Sequence, residues 1–325
     1  MKREYRVAVL SYHGWEIDPH VLVDDVRHLR NEGWRDISLE ELHSILSGQK
    51  RYKDPVFHIT SDDGSRADAD FVAALRLLSC PATLFVCLQR MDRYADVFFR
   101  ELVRSSDYHI ADHTLRHDRV FKLRHVVGFY HVGKPVVSSP ERLGLKVGAP
   151  VCSYGPELCS PRFTPASDAM EVCHQEARRL QDATASDDWA TALAAALVKS
   201  GFGFYRFGRL CIRGEYEARH EWKHRIRTYL SQGREALCQF TCKEPFAFAF
   251  PWWESGDVAE HYLHALGYRL TFSGRGLCSA LQPFRVPRLP IDATTPRPLD
   301  LVRLGLRCPP AATFVESLAR RLVFA

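Results

Sequence analysis

Short strand signals and amphipathic helix signals alternate along the first third of this 325-residue chain, and few architectures accommodate that alternation. Strands joined through helices pair in parallel, so the pattern predicts an α/β fold built on a mostly parallel sheet or barrel. Val7-Ala8-Val9-Leu10-Ser11 reads as a buried strand. Asp18-Pro19 opens a helix whose apolar positions Val21, Val23, Val26 and Leu29 lie roughly on one face, and Gly33 closes it. Ser38 is placed to cap a second helix, with Glu41 at the capping-box position. A second strand, Val56-Phe57-His58-Ile59-Thr60, runs straight into the turn Ser61-Asp62-Asp63-Gly64. A helix from about 66 to 78 and a third strand, Ala82-Thr83-Leu84-Phe85-Val86-Cys87, complete this part.

Between about 118 and 210 the periodicity weakens and turn formers multiply, with helical stretches only at 168–180 and 187–199. A long charged helix is expected from about 216 to 233. Strand and helix signals then return at 246–250, 258–266 and 268–272. The scaffold resuming in this way predicts one domain, 1–325, interrupted by an insertion at 118–244.

The chain has 44 Lys and Arg against 39 Asp and Glu, and the resulting +5 is too small to mark a nucleic-acid binder without a localised patch. Its ten cysteines include no CxxC pair, and the opening residues offer neither a signal-peptide core nor a membrane span. The expectation is therefore a cytoplasmic protein with reduced thiols that serve as small hydrophobes.

Two adjacent carboxylates at the C-terminal end of a strand raise one another's pKa unless a cation neutralises them. Asp62-Asp63 asks for such a partner, although Asp-Asp-Gly is also good turn chemistry. The segment Asp112-His113-Thr114-Leu115-Arg116-His117 supplies a candidate. On a helical turn, imidazoles at i and i+4 face the same side, where one ion could take both. Two His and one Asp leave coordination positions open for water and substrate, which is the layout of a hydrolytic metal site.

These residues carry a family resemblance. Ile59-Thr60-Ser61-Asp62-Asp63-Gly64 resembles the T-F-D-D-G motif of the polysaccharide deacetylases, the NodB-homology carbohydrate esterases, and His113-Thr114-Leu115-Arg116-His117 is similar to their H-[ST]-x-x-H motif. Further matches follow in order: Leu10-Ser11-Tyr12-His13, the run from Gly33 to Leu42, Ala82-Thr83-Leu84-Phe85-Val86, Phe248-Ala249-Phe250-Pro251-Trp252 and Val286-Pro287-Arg288-Leu289-Pro290. The resemblance implies a distorted (β/α)7-type barrel with the site at the strand C-terminal ends. It also implies one divalent metal, zinc first and Co2+, Ni2+ or Fe2+ as alternatives, held by Asp63, His113 and His117. Asp62 would be the general base, and a backbone N–H near Trp252 would help hold the oxyanion. The implied substrate is an N-acetylated amino sugar or glycan. The insertion resembles, diffusely, that of deacetylases of glycan assembly in Gly133-Lys134-Pro135-Val136 and Gly214-Glu215-Tyr216-Glu217, and as a cap it would cover the barrel mouth.

The departures are specific. Ser61 stands where the family has an aromatic residue, Trp253 where it has a glycine, and no His follows His264 to serve as the usual general acid. His13, just after the first strand, is the candidate acid, with His58 behind it. Tyr12, Trp252 and Trp253 are candidate substrate contacts, since aromatic faces stack on pyranose C–H faces. Three functions remain open on this evidence: an N-deacetylase, a C–N hydrolase of a non-sugar amide, and a non-catalytic glycan-binding protein.

Overall fold

The computed structural model describes residues 7–105, 108–131, 145–180, 187–278, 282–292, 297–298 and 300. In chain order the first elements are β1 (Val7–Tyr12), α1 (Pro19–Asn31), β2 (Arg35–Asp36), α2 (Leu39–Leu46), β3 (Val56–Ser61), α3 (Asp68–Leu77), β4 (Ala82–Val86), α4 (Arg93–Ser105) and β5 (His109–Asp112). Then come β6 (Arg119–Phe129), β7 (Pro150–Pro156), β8 (Phe163–Pro165), α5 (Ser167–Arg179), α6 (Asp187–Lys199), β9 (Gly203–Arg206), β10 (Arg209–Ile212), β11 (Gly214–Tyr216) and α7 (Arg219–Thr241). The last are β12 (Ala247–Ala249), α8 (Asp257–Ala265), β13 (Leu270–Arg275) and β14 (Val286–Pro290).

The chain forms two compact units, one of Met1–His117 with Arg227–Ala325 and the other of Asp118–Ile226. In the first, β1, β3, β4, β5, β12, β13 and β14 pair in parallel in that order, and β14 returns to β1 to close a seven-stranded barrel. The two-residue β2 pairs only with the start of β3. The strand and helix alternation allows a parallel sheet or a barrel, and the structure is the (β/α)7-type barrel that the family resemblance implies.

Period-two alternation sorts the barrel side chains. Along β1, Ala8, Leu10 and Tyr12 join a core with Leu22, Val26, Phe71 and Leu75 of the surrounding helices. Val7 and Val9 instead join Phe85, Ala111, Ala249 and Phe272 in the barrel interior, closed at one end by Leu39, Leu42 and Ile45 of α2. The same alternation along β3 turns Thr60 and Asp62 inward and Phe57, Ile59 and Ser61 outward.

Local signals explain the helices that hold this frame. Asp18 caps α1 by accepting the His20 N–H at 2.8 Å. Ser38 and Glu41 close the capping box of α2, each side chain accepting the other's backbone N–H at 3.2 Å. The long helix α7 continues eight residues beyond its expected end at Gly233. Gly233 lies inside this helix, against Asp112 and Leu115.

The second unit is built differently. An antiparallel sheet in the order β7-β6-β10-β9 and a two-stranded ribbon of β11 with β8 enclose a core of Phe129, Val151, Cys173, Trp189, Leu193 and Ile212 with α5 and α6. Gly214 and Tyr216 lie on β11, whereas Gly133 to Val136 fall outside the described residues. All nine described cysteines are free thiols. No described helix is long and apolar enough to cross a membrane.

Candidate active site

The site lies where β3, β5, β12 and β14 end. The Asp62 N–H donates to the Tyr12 carbonyl at 3.0 Å, which extends the β1–β3 ladder by one residue and brings the carboxylate inward. Asp63 follows with φ +80° and Gly64 with φ +71°, so the chain turns sharply and the two carboxylates diverge. Only glycine fits at position 64, because a Cβ would sit 3.0 Å from Val86 Cβ.

Asp62 is buried against Arg288 of β14, whose guanidinium donates to both carboxylate oxygens at 2.6 and 2.7 Å and to Thr60 Oγ1 at 3.2 Å. Arg288 has no exposed surface, and its guanidinium lies over Phe85 at 5.4 Å and Phe272 at 5.9 Å from the ring centroids. Burial alone would raise the Asp62 pKa, but Arg288 outweighs it, with a smaller contribution from His113, and holds the carboxyl at about 2. Asp62 is therefore a fixed carboxylate at neutral pH. The strand motif Val286-Pro287-Arg288-Leu289-Pro290 by itself assigns Arg288 no role, although an arginine at an inward position of an otherwise apolar strand is a signal for a buried anion.

His113 and His117 come from the loop after β5, and the expected helical turn is not what presents them. Thr114 has φ +69° and His117 φ +58°, and side chains hold the turn together: Asp112 Oδ1 accepts the Thr114 N–H at 2.8 Å and Thr114 Oγ1 accepts the His117 N–H at 3.0 Å. Aspartate and threonine capture local backbone donors in this manner, and here the capture outcompetes a helix. The rings nonetheless converge, with centroids 4.9 Å apart. Asp112 itself is buried and accepts from Tyr268 Oη at 2.5 Å; burial raises its pKa to about 6.

His113 Nδ1 donates to the Ala249 carbonyl at 2.8 Å, which fixes the tautomer and leaves Nε2 with its lone pair facing the carboxylates. Burial lowers the His113 pKa and keeps the ring neutral. Its Nε2 lies 3.9 Å from Asp63 Oδ1, and His117 Nε2 lies 3.6 Å from the same oxygen. That oxygen is buried and accepts no hydrogen bond. The Arg90 guanidinium lies 3.6 Å from the same oxygen, and the carboxylate oxygen with the two imidazole nitrogens is a donor set that suits a divalent metal. Cys87 Sγ lies within 4.8 Å of the Asp63 and His113 donor atoms. Its thiol donates to the His113 carbonyl at 3.1 Å and burial pushes its pKa up, so it braces the loop as a neutral thiol.

His13 stands beside the carboxylates. Burial lowers its pKa, but the Glu16 carboxylate at 2.9 Å and the fields of Asp62 and Asp63 overcome that and raise it. Its ring meets Trp253 edge-on at 6.2 Å, and Trp252 lies 4.0 Å from the His117 ring. Both tryptophans are partly exposed and adopt left-handed backbone, φ +55° and +59°. A left-handed backbone at a tryptophan costs about 1 kcal/mol. Arg275 covers the face of Trp253 at 4.3 Å.

Two expected roles are corrected. Tyr12 has no exposed surface and its hydroxyl donates to Asp25 of α1 at 3.4 Å. The pleat sends this side chain into the helix layer, so it is not a substrate contact, and only its carbonyl supports the site. His58 is a core residue. Its Nδ1 donates to the Ile37 carbonyl at 2.8 Å, its Nε2 accepts from Thr83 at 2.9 Å, and burial lowers its pKa to about 4. The departure at Ser61 also has a local explanation. Its outward hydroxyl donates to Asp68 Oδ1 at 2.6 Å, while Asp68 Oδ2 accepts the Ser65 N–H at 2.6 Å, so the Asp-Asp-Gly turn is tied to α3 by hydrogen bonds.

Comparisons with known proteins bear on the sequence signature and the fold. Residues 49–128 match the family model of the polysaccharide deacetylases. No curated protein matches the chain in sequence. Among solved structures, a de-N-acetylase from Aggregatibacter actinomycetemcomitans matches with a TM-score of 0.55 at 16% identity, over 90% of this chain and 97% of that one. IcaB from Ammonifex degensii gives 0.53 at 15% over 94% and 98%, and the BpsB deacetylase domain from Bordetella bronchiseptica 0.56 at 15% over 89% and 96%. At these identities the likeness is one of fold.

Proposed function

We propose, for a chain whose sequence signature and barrel are those of the polysaccharide deacetylases, that it is a metal-dependent hydrolase removing the N-acetyl group from an amino sugar of a glycan or glycan intermediate. The observation that carries the reading is the division of labour between adjacent carboxylates. Asp62 is held on Arg288 as a carboxylate at neutral pH, while Asp63 Oδ1, without a hydrogen bond, faces two imidazoles.

Asp63, His113 and His117 would hold the metal, and zinc suits one carboxylate and two imidazoles best. A bound divalent ion supplies Lewis acidity toward the acetyl carbonyl and eases deprotonation of water. Asp62 Oδ2, 3.8 Å from His113 Nε2, is placed to take the proton of the attacking water as general base. Its low pKa makes it a weak base in isolation. His13, whose pKa is raised beside the two carboxylates, carries the proton that the departing amine needs. Trp252 and Trp253 present aromatic surface for a pyranose ring.

The test is acetate release across a substrate panel: N-acetylglucosamine oligomers, other N-acetyl sugars, cyclic ureides and formamides. The expected result is acetate from the amino sugars, with a large loss of rate in His13→Ala. Turnover of ureides or formamides in preference to the sugars would overturn it.

A further inference from the structure

We infer that the unit formed by Asp118–Ile226 carries a binding site for an acidic glycan, one bearing carboxylate or phosphate groups; the choice of a glycan rests on the deacetylase reading. In that unit β9 and β10 form a hairpin in which Arg206 and Arg209 are paired, joined by the two-residue turn Phe207-Gly208. Both turn residues have positive φ, +49° and +72°, as the tight primed hairpin turns require. Asparagine, aspartate or glycine is the inexpensive choice at the first position. The chain instead places there a phenylalanine that is 91% exposed and packs into no core. It is an aromatic residue in unfavourable backbone, outside any core and presented to solvent, and such outliers concentrate at functional sites.

The surroundings identify the ligand's chemistry. Phe207 lines a cavity of about 260 Å³ together with Leu123, Arg124, Arg206, Arg209 and Tyr216. No carboxylate lines it, and among the described residues no ion pair engages Arg124, Arg206 or Arg209. The Arg124 guanidinium lies over the Tyr216 ring at 5.3 Å and that of Arg206 over Phe207 at 5.4 Å, which spreads the cations across the aromatic surface. Tyr205, 64% exposed, and Tyr216, 42% exposed, add further ring faces. Rings stack on the apolar faces of pyranoses, while planar guanidinium groups pair with carboxylate or phosphate in bidentate fashion. A neutral sugar would leave the three cations without a function. This is the localised patch that the small net charge alone could not reveal.

The experiment measures binding of fluorescently labelled oligogalacturonate and of a labelled neutral N-acetylglucosamine oligomer of equal length to the full chain, at low and high salt. DNA of equal charge and anionic lipid vesicles serve as parallel probes. The wild type should bind the acidic oligomer at least tenfold more tightly than the neutral one, with affinity falling as salt rises. Arg206→Ala/Arg209→Ala should abolish that preference. Phe207→Asn should weaken binding while leaving thermal stability unchanged or raised, because asparagine accepts the turn conformation; lower stability without weaker binding would assign the ring a structural role and overturn the inference. Equal affinity for both oligomers, an unchanged double variant, or binding confined to DNA or vesicles would also overturn it. Acetate release from the neutral oligomer, followed with the same proteins, reports on the deacetylase reading separately, since it does not require the acidic site.

Discussion

Replacing Arg288 with methionine tests how the site maintains a buried base. The substitution keeps much of the side-chain length and removes two charge-assisted hydrogen bonds, at 2.6 and 2.7 Å. The folded-state pKa of Asp62 is depressed from 3.8 to about 2. Such a group stabilises the fold above its unfolded pKa, and the contribution disappears as pH falls from about 4 to about 2. The difference corresponds to roughly 2.5 kcal/mol at neutral pH. Removing one partner of a buried pair also strands the other, and the usual cost is about 3–5 kcal/mol. In Arg288→Met, burial of Asp62 is no longer opposed by a cation from β14, so its carboxyl takes up a proton at higher pH. Urea denaturation at neutral pH should show a loss of about 3–5 kcal/mol, and the acidic limb of the deacetylation profile should move to higher pH. Asp62→Asn combined with Arg288→Met leaves no buried charge and should be more stable than Arg288→Met alone by about 1–3 kcal/mol. Wild-type stability together with an unmoved acidic limb in Arg288→Met would refute the reasoning.

Gly64→Ala forces a Cβ to within 3.0 Å of Val86 at φ +71°, so denaturation should show a loss of about 2 kcal/mol or more with reduced metal affinity by titration. Tyr12→Phe removes a hydroxyl bonded to Asp25 away from the site; steady-state kinetics should show unchanged KM and kcat within about twofold, with stability lower by about 1 kcal/mol. Glu41 is raised by burial but lowered further by hydrogen bonds from Lys50 and Tyr52, to about 2. Its stabilisation is present above about pH 4.5 and fades toward pH 2, so Glu41→Gln should lower Tm at neutral pH by a small amount that vanishes in acid, the pair being largely solvated.

Much of the frame was legible because it is written locally. The capping box of Ser38 and Glu41, the Asp18-Pro19 helix start and the inward strand-end aspartates all depend on neighbours within a few residues. Helix α4 produced no expectation, although Asp92 accepts the Ala95 N–H at 2.8 Å as a capping residue would. The strands of the second unit were missed because β6 does not bury alternate residues regularly, so period two is blurred. Gly233 suggests a helix end, whereas α7 runs through it to Thr241. His113 and His117 converge through a turn closed by Asp112 and Thr114, not through the helix that their i, i+4 spacing suggests. The strand around Arg288 hints at a buried charge, but its partner Asp62 is 226 positions away and nothing local identifies it. The orientation of Tyr12 was accessible in principle, because a strand that sends Val7 and Val9 inward must send Tyr12 outward.

The central claim is that Asp62 acts on water while Asp63 holds the metal. Metal content and acetate release measured on the same preparations of wild type, Asp62→Asn and Asp63→Ala test it directly. The wild type and Asp62→Asn should each retain about one metal ion per chain and only the wild type should release acetate, while Asp63→Ala should lose the metal. Acetate release by Asp62→Asn at the wild-type rate, or undiminished metal in Asp63→Ala, would contradict the account.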